Sequence, residues 1–121
     1  MGVEIIFFSP LADEAPDNDA DAVYLPGGYP ELFAGKLAVA SNFMKGLREL
    51  AKNGIIVFGE CGGYMVLGNG LIDASGARYA MAGLLGLETS FFKRELHLGY
   101  RRIKLLSNSP LGDAGSSFRG H

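Results

Sequence analysis

The segment from residue 55 to residue 63, IIVFGECGG, constrains the fold more than any other part of the chain. An apolar, β-branched run of this length is typical of a buried strand, and the glycines that follow it end the strand abruptly. The next residues, YMVL, favour a short helix. A strand that turns sharply into a helix is typical of α/β proteins, in which ligands bind at the carboxyl edge of a parallel sheet.

Three further segments extend this α/β pattern. Residues 2–8, GVEIIFF, and residues 22–28, AVYLPGG, predict two more buried strands. From Glu31 to Lys52 the apolar residues recur at intervals of three and four, which predicts one amphipathic helix. Because a strand, a long crossover and a second strand imply parallel neighbours, we expect an open, mostly parallel sheet flanked by helices on both faces, as in flavodoxin-like folds.

The second half of the chain predicts smaller elements, several of them antiparallel. Residues 71–81 alternate weakly around a serine-glycine pair and predict a β-hairpin. Residues 83–92 and 95–107 predict partly exposed antiparallel strands or loops, and residues 108–121 predict a turn-rich tail. The chain has no repeat and no linker, so we expect residues 1–121 to belong to a single domain.

The composition excludes several classes of protein. The net charge of −2 gives no basic surplus for nucleic acid, and the apolar runs of only a few residues predict no membrane span. The first residues lack the pattern of a secretory signal, and one cysteine cannot form an internal disulfide, so we expect a cytoplasmic protein. Two histidines and one cysteine are too few and too scattered for a structural zinc site.

The only cysteine lies in a G-x-C-x-G motif that runs from Gly59 to Gly63. Between a strand and a helix, this motif is typical of a nucleophile elbow, in which small neighbours allow a strained apex residue. We expect the Cys61 side chain to point out of the carboxyl edge, where the following helix favours its thiolate. The Gly62 amide would then face an oxyanion. The alternative is a buried structural cysteine.

A second glycine loop, LPGGYPE at residues 25–31, ends a neighbouring strand at the same edge. The backbone amides of Gly27 and Gly28 could supply the other half of an oxyanion hole, although a tight turn without function is the alternative. Glu60 precedes the cysteine, and a carboxylate there would oppose thiolate formation. Because consecutive side chains diverge on an elbow, we expect Glu60 to brace the turn or to bind a substrate's ammonium group.

The two glycine-rich motifs, YLPGGYPE at 24–31 and FGECGGYMVLG at 58–68, resemble those of a known family. They are similar to the glutamine amidotransferase domain of cobyrinic acid a,c-diamide synthases, the cobalamin-pathway branch of the triad-type amidotransferases. The resemblance continues through GLLGLETSF at 83–91, HLGYRRI at 97–103 and FRGH at 118–121, and so covers essentially the whole chain. The family usually has proline at Gly86, a difference expected to loosen a turn only.

The resemblance implies a glutaminase mechanism. Cys61 would attack the side-chain amide of glutamine, with Gly28 and Gly62 as oxyanion donors, and water would hydrolyse the thioester. Ammonia would pass to a separate domain that uses ATP and Mg²⁺ to activate the a- and c-carboxylates of a cobyrinic or hydrogenobyrinic acid. The chain has no G-x-x-x-x-G-K-[ST] motif, so we expect that synthetase domain, and any cofactor or metal, to be absent from it.

A thiol of ordinary pKa needs a base, and the chain offers only two histidines. His97 lies within a predicted strand and is expected to be a rim or sheet-face residue. His121 matches the first histidine of the family's R-G-H-E-x-H run, whereas the family's base lies further on. We therefore expect a truncated domain that is poorly active or inactive alone. Its exposed sheet edge and apolar surface would favour a homo-oligomer.

Several alternatives stay open at this point. The same motifs occur in relatives that make cobyric acid or amidate peptidoglycan, and another hydrolase could use a similar elbow. The chain could also be a non-catalytic module that binds glutamine or a partner synthetase. Finally, LGYRR at residues 98–102 could be a basic rim that faces the acidic corrinoid or the partner domain, or simply a solvated strand edge.

Overall fold

The computed structural model describes residues 2–92 and 99–120 and has a mixed α/β fold. In chain order its strands and α-helices are β1 (Ala22–Leu25), α1 (Ala34–Ala38), α2 (Ser41–Lys52), β2 (Ile56–Gly59), α3 (Gly62–Leu67), β3 (Gly70–Ile72), β4 (Arg78–Ala80), β5 (Glu88–Ser90), β6 (Arg101–Lys104) and β7 (Ser117–Gly120). Short 3₁₀ turns lie at Pro10–Ala12 and Pro30–Leu32. Within these described ranges, every helix is too short or too polar to cross a lipid bilayer.

Strands β1 and β2 pair in parallel, with α1 and α2 between them in the chain. Leu25 lies opposite Gly59 at the carboxyl end of the pair, so both strands finish at one edge. The predicted α/β class and the parallel pairing of these two strands are confirmed. This pair positions the two glycine-rich loops beside each other, because each loop follows directly on its strand.

The predicted burial of both faces of this sheet is wrong. Val23 and Leu25 point into the core, but Tyr24, Ile56 and Phe58 on the opposite face are each about half exposed. The Tyr24 and Phe58 rings stack on that face with their centroids 5.9 Å apart. In the described part of the chain, helices therefore cover one side of the β1–β2 pair only.

The strand predicted at residues 2–8 is also wrong. These residues have no regular secondary structure, and Val3 and Phe7 are 89% and 91% exposed. An apolar run becomes a strand only when another strand accepts its backbone hydrogen bonds, and within the described residues none does so for this segment. The segment has the apolar pattern of a strand, but this pattern does not show whether another strand lies beside it to pair with.

The single helix predicted from Glu31 to Lys52 is divided into three pieces. The backbone leaves the helical region at Ala40 (φ −73°, ψ 75°), which becomes the N-cap of α2. The Asp13 carboxylate then caps α2 from a distant part of the chain, because it accepts a 3.0 Å hydrogen bond from the Phe43 amide. It also accepts a 3.1 Å bond from the Asn42 side chain. A cap of this kind satisfies a free amide in the first turn and permits a new helix start.

The second half of the chain forms two small sheets. In the first, β3 lies between β4, which is antiparallel, and β5, which is parallel. The predicted hairpin at residues 71–81 is confirmed, whereas the antiparallel prediction for the segment that contains β5 is wrong. In the second, β6 and β7 form an antiparallel ribbon. Strand β7 lies in the tail that the sequence predicts as turn-rich.

The core lies between α2 and the strands. Phe43 and Leu47 from α2 and Leu71 from β3 are fully buried in it. The Arg48 guanidinium on α2 also donates hydrogen bonds of 2.7 and 3.1 Å to the carbonyls of Ala82 and Met81. This side chain therefore connects α2 to the segment after β4, and the two halves of the chain share one apolar core.

Replacing Leu47 with alanine tests the central place of α2. Because Leu47 is fully buried, we expect Leu47→Ala to lower the free energy of unfolding by about 2–5 kcal/mol. Lys45→Ala on the same helix loses only an exposed ion pair with Glu49. This substitution should change the free energy of unfolding by about 0.5 kcal/mol or less. Urea unfolding followed by circular dichroism measures both, and equal effects of the two substitutions would contradict the assignment of the core.

Candidate active site

The candidate site begins where β1 and β2 end. The backbone hydrogen bonds between β1 and β2 continue one residue past β2, because the Glu60 amide donates a 3.1 Å hydrogen bond to the Leu25 carbonyl. Cys61 follows at once and is the N-cap of α3. The turn therefore takes the chain from the last rung of a parallel ladder into a helix within two residues, as the motif predicts.

Cys61 forms the apex of that turn in a strained conformation. Its backbone angles are φ 51° and ψ −117°, a region that residues with a side chain rarely adopt, and its thiol is exposed. Such angles cost about 1–3 kcal/mol and persist only where the surrounding structure enforces them. The prediction of a strained, outward-facing cysteine is confirmed, and the alternative of a buried structural cysteine is wrong. Its role as a nucleophile stays a prediction.

Three glycines make this turn sterically feasible. A Cβ atom on Gly59 would lie 2.8 Å from the Gly63 carbonyl carbon, and one on Gly63 would overlap the Leu25 carbonyl group. A Cβ on Gly62 would lie 2.7 Å from the Gly28 oxygen. The G-x-C-x-G motif therefore reflects a close approach of α3 to β1 and to the loop that follows β1.

That loop brings the other predicted glycines to the cysteine. A Cβ on Gly27 would lie 3.2 Å from Cys61 Cβ and 3.5 Å from Cys61 Sγ, whereas one on Gly28 would meet open space. In the described residues, the amides of Gly28 and Gly62 donate to no backbone acceptor. The structure thus places Gly27 beside the exposed thiol and packs Gly28 against Gly62, which follows the cysteine. Two glycine amides without a protein acceptor at such a turn can hold an oxyanion formed beside sulfur.

Glu60 is fixed by a tyrosine that the sequence did not single out. The Tyr24 hydroxyl donates a hydrogen bond to Glu60 Oε1 across the two strands. This hydrogen bond, with a smaller contribution from burial and from the negative charge of Glu60, raises the pKa of Tyr24 above its ordinary value. The bond agrees with a role for Glu60 in bracing the turn. No signal in the sequence reveals Tyr24, because its contact with Glu60 depends on the register of β1 and β2.

Neither histidine considered as a catalytic base is among the described residues. His97 and His121, the two candidates, both lie outside residues 2–92 and 99–120. The same part of the chain contains no group of three metal-binding side chains. Of LGYRR, residues 99–102 are described; Tyr100, Arg101 and Arg102 line a cleft of about 620 Å³ together with Arg119 and Gly120, away from Cys61.

The chain belongs to the CobB/CobQ-like glutamine amidotransferase domain family, whose model matches residues 1–121. This agrees with the class of protein that the fold and the cysteine turn define. The match covers the elbow, the PGG loop and the β6–β7 ribbon together.

Individual relatives show a more specific similarity than the family model does. The chain is 65% identical over 109 residues to a hydrogenobyrinate a,c-diamide synthase from Brucella anthropi, a match that covers 90% of this chain and 25% of that protein. It is 60% identical over 120 residues to the protein of the same name from Rhodobacter capsulatus, covering 99% of this chain and 27% of the relative. The chain therefore spans about a quarter of the length of these relatives.

Substituting Gly63 tests the close packing around the elbow. Gly63→Ala should lower the free energy of unfolding by about 1–3 kcal/mol or more, because the new methyl group meets the Leu25 backbone, which cannot rotate away. Gly28→Ala adds the same atom in open space and serves as the matched control. Thermal and urea unfolding of both variants measure the difference. If Gly63→Ala were as stable as Gly28→Ala, the close approach of α3 to β1 would be refuted.

The Tyr24–Glu60 hydrogen bond can be tested by titration. Ionised Tyr24 could no longer donate to Glu60 and would face a second negative charge, so the carboxylate raises the pKa of Tyr24. Glu60→Gln should therefore lower that pKa. Asp73→Asn is the matched control, because Asp73 raises the pKa of Tyr79 instead. NMR titration of ¹³C-labelled tyrosine rings measures both, and a Tyr24 curve unchanged by Glu60→Gln would contradict the pairing.

Proposed function

We propose that this chain is the glutaminase part of a hydrogenobyrinate a,c-diamide synthase, releasing ammonia from glutamine at Cys61. The observation that carries the proposal is the exposed thiol on a strained turn, with Gly27 close to the sulfur and Gly28 packed against Gly62. The family of the chain, and the name shared by its relatives, support the choice of glutamine as substrate.

The proposed reaction proceeds in two steps. The Cys61 thiolate attacks the side-chain carbonyl carbon of glutamine, and the amides of Gly28 and Gly62 hold the oxyanion that forms on the carbonyl oxygen. The carbon–nitrogen bond breaks, and the nitrogen leaves as ammonia with a proton supplied by a general acid. Water then attacks the glutamyl thioester, which yields glutamate and regenerates the thiolate. The histidine that moves these protons stays a prediction.

We assign Glu60 two compatible roles in this reaction. One carboxylate oxygen, Oε1, accepts the Tyr24 hydrogen bond, and this holds the residue before the cysteine in place. In the described residues Oε2 accepts no hydrogen bond from the protein, so it can accept one from the α-ammonium group of glutamine. The hydrogen bond from Tyr24 also spreads the negative charge of Glu60 away from the thiolate.

The remainder of the reaction is assigned to another part of the enzyme. The relatives' names favour hydrogenobyrinic acid over cobyrinic acid, which the sequence left as alternatives. In our proposal, ammonia passes to a synthetase region that activates the a- and c-carboxylates of this acid with ATP and Mg²⁺. The described residues do not fit those cofactors, because they include neither a phosphate-binding glycine-lysine loop nor an acidic cluster for a metal. The lone thiol favours a reducing, cytoplasmic location.

A non-catalytic module that binds glutamine or a partner synthetase is the second candidate. It is favoured by one observation, that Glu60 directly precedes Cys61 and that its carboxylate opposes formation of the thiolate. Such a module would have the same loops around Cys61 but an unactivated thiol. Reactivity of the thiol therefore separates the two candidates.

Affinity labelling with a chloroketone analogue of glutamine tests the proposal. We expect one equivalent of label on Cys61, protection by L-glutamine but not by D-glutamine, and no label on Cys61→Ser. Iodoacetamide, which has no glutamine-like part, measures the simple exposure of the thiol. If both reagents react at the same rate and L-glutamine protects against neither, Cys61 is only an exposed thiol and the glutaminase proposal fails.

A further inference from the structure

The β6–β7 ribbon has two chemically different faces. Because paired residues point to the same side, Arg102 and Arg119 lie directly opposite each other, and Lys104 follows on the same face opposite Ser117. On the other face, Ile103 lies opposite Phe118 and Arg101 lies opposite Gly120. One side of the ribbon thus carries three cationic side chains and no apolar one.

The basic face is open to solvent and leads into a cleft. Every residue of β6 is exposed, as are all residues of β7 except Gly120, which is half-buried. Tyr100, Arg101, Arg102, Arg119 and Gly120 line the cleft, whose volume is about 620 Å³. Arg102 and Arg119 therefore border this concave surface from the same face of the ribbon.

This arrangement costs stability in the absence of an anion. Like charges directly opposite each other in an antiparallel pair are destabilising, and a ribbon of two strands is only marginally stable. Across residues 2–92 and 99–120, the ion pairs are Lys45–Glu49 and Arg78–Glu88, so no carboxylate there neutralises Arg101, Arg102 or Arg119. A ligand with negative charge would remove the repulsion and stabilise the ribbon.

The geometry favours a ligand with more than one acidic group. Directly opposed residues hold their Cβ atoms about 4.5–5.5 Å apart, so Arg102 and Arg119 present two guanidinium forks side by side. Each fork matches the two oxygens of one carboxylate and binds them with parallel, charge-assisted hydrogen bonds. Two carboxylates on a single molecule could engage both forks at once.

We propose that this cleft binds a small molecule with at least two carboxylate groups, through Arg102 and Arg119. The choice of carboxylates over other oxyanions rests on the proposed function, because the relatives are named for an acid that becomes a diamide. The cleft would then hold acidic groups of the molecule that is to be amidated. The binding itself requires no chemistry at Cys61.

Calorimetric titration of the 121-residue chain with propane-1,2,3-tricarboxylate tests the proposal. We expect binding to the wild type, no binding of the neutral triamide, and a loss of affinity of about tenfold or more in Arg102→Gln/Arg119→Gln, because charge-assisted bonds are lost. Lys36→Gln/Lys45→Gln removes the same charge from exposed sites elsewhere and should change affinity by less than about twofold. Arg102→Gln alone gives a second, milder variant with an intermediate loss.

Three outcomes would overturn the proposal. The wild type could fail to bind the tricarboxylate, or the lysine variant could weaken binding as much as the arginine variant, which would show a general charge effect. Tripolyphosphate or polyglutamate could bind while the tricarboxylate does not, which would indicate a phosphate site or a protein-docking surface.

Chloroketone labelling of Cys61 is measured on the same samples. If Cys61 is labelled but the tricarboxylate does not bind, only the proposal for the cleft is refuted. If the tricarboxylate binds but Cys61 is not labelled, the glutaminase proposal is refuted and the cleft is simply a site for anions.

Discussion

The structure of the site depends on the close approach of α3 to β1 and to the loop after it. Gly62 and Gly63 permit this contact, because a side chain at either position would collide with the backbone of Gly28 or Leu25. With the helix so close, Cys61 has no room for an ordinary conformation and takes a positive φ. The strain at the thiol is therefore maintained by packing around it, and the same packing places the Gly27–Gly28 loop beside the sulfur.

The local features of this site could be predicted from the sequence because each has a steric cause within a few residues. Small residues on both sides of Cys61 predict the sharp turn, and the two strand-ending glycine loops predict a shared edge once β1 and β2 are parallel. The hairpin between β3 and β4 follows from its turn residues. Tyr24 is different, because its bond to Glu60 joins residues 36 positions apart and depends on strand register.

The features that could not be predicted all depend on distant partners. Residues 2–8 have the composition of a strand but no strand beside them in the described chain. The break before α2 is stabilised by Asp13, 30 residues from the amide that it caps, and the pattern of apolar residues runs through this break unchanged. The parallel pairing of β5 and the existence of β7 likewise depend on which strand lies alongside. The base of the proposed glutaminase stays a prediction, because neither His97 nor His121 lies in the described residues.

Dissolved salt should have two opposite effects on the β6–β7 ribbon, because two arginines lie opposite each other in it. Mobile counterions screen the repulsion between Arg102 and Arg119, so the free ribbon should become more ordered as ionic strength rises. The same ions compete with any acid for the guanidinium groups. A rise in ionic strength would thus favour a well-formed ribbon and weaken the proposed binding of an acid.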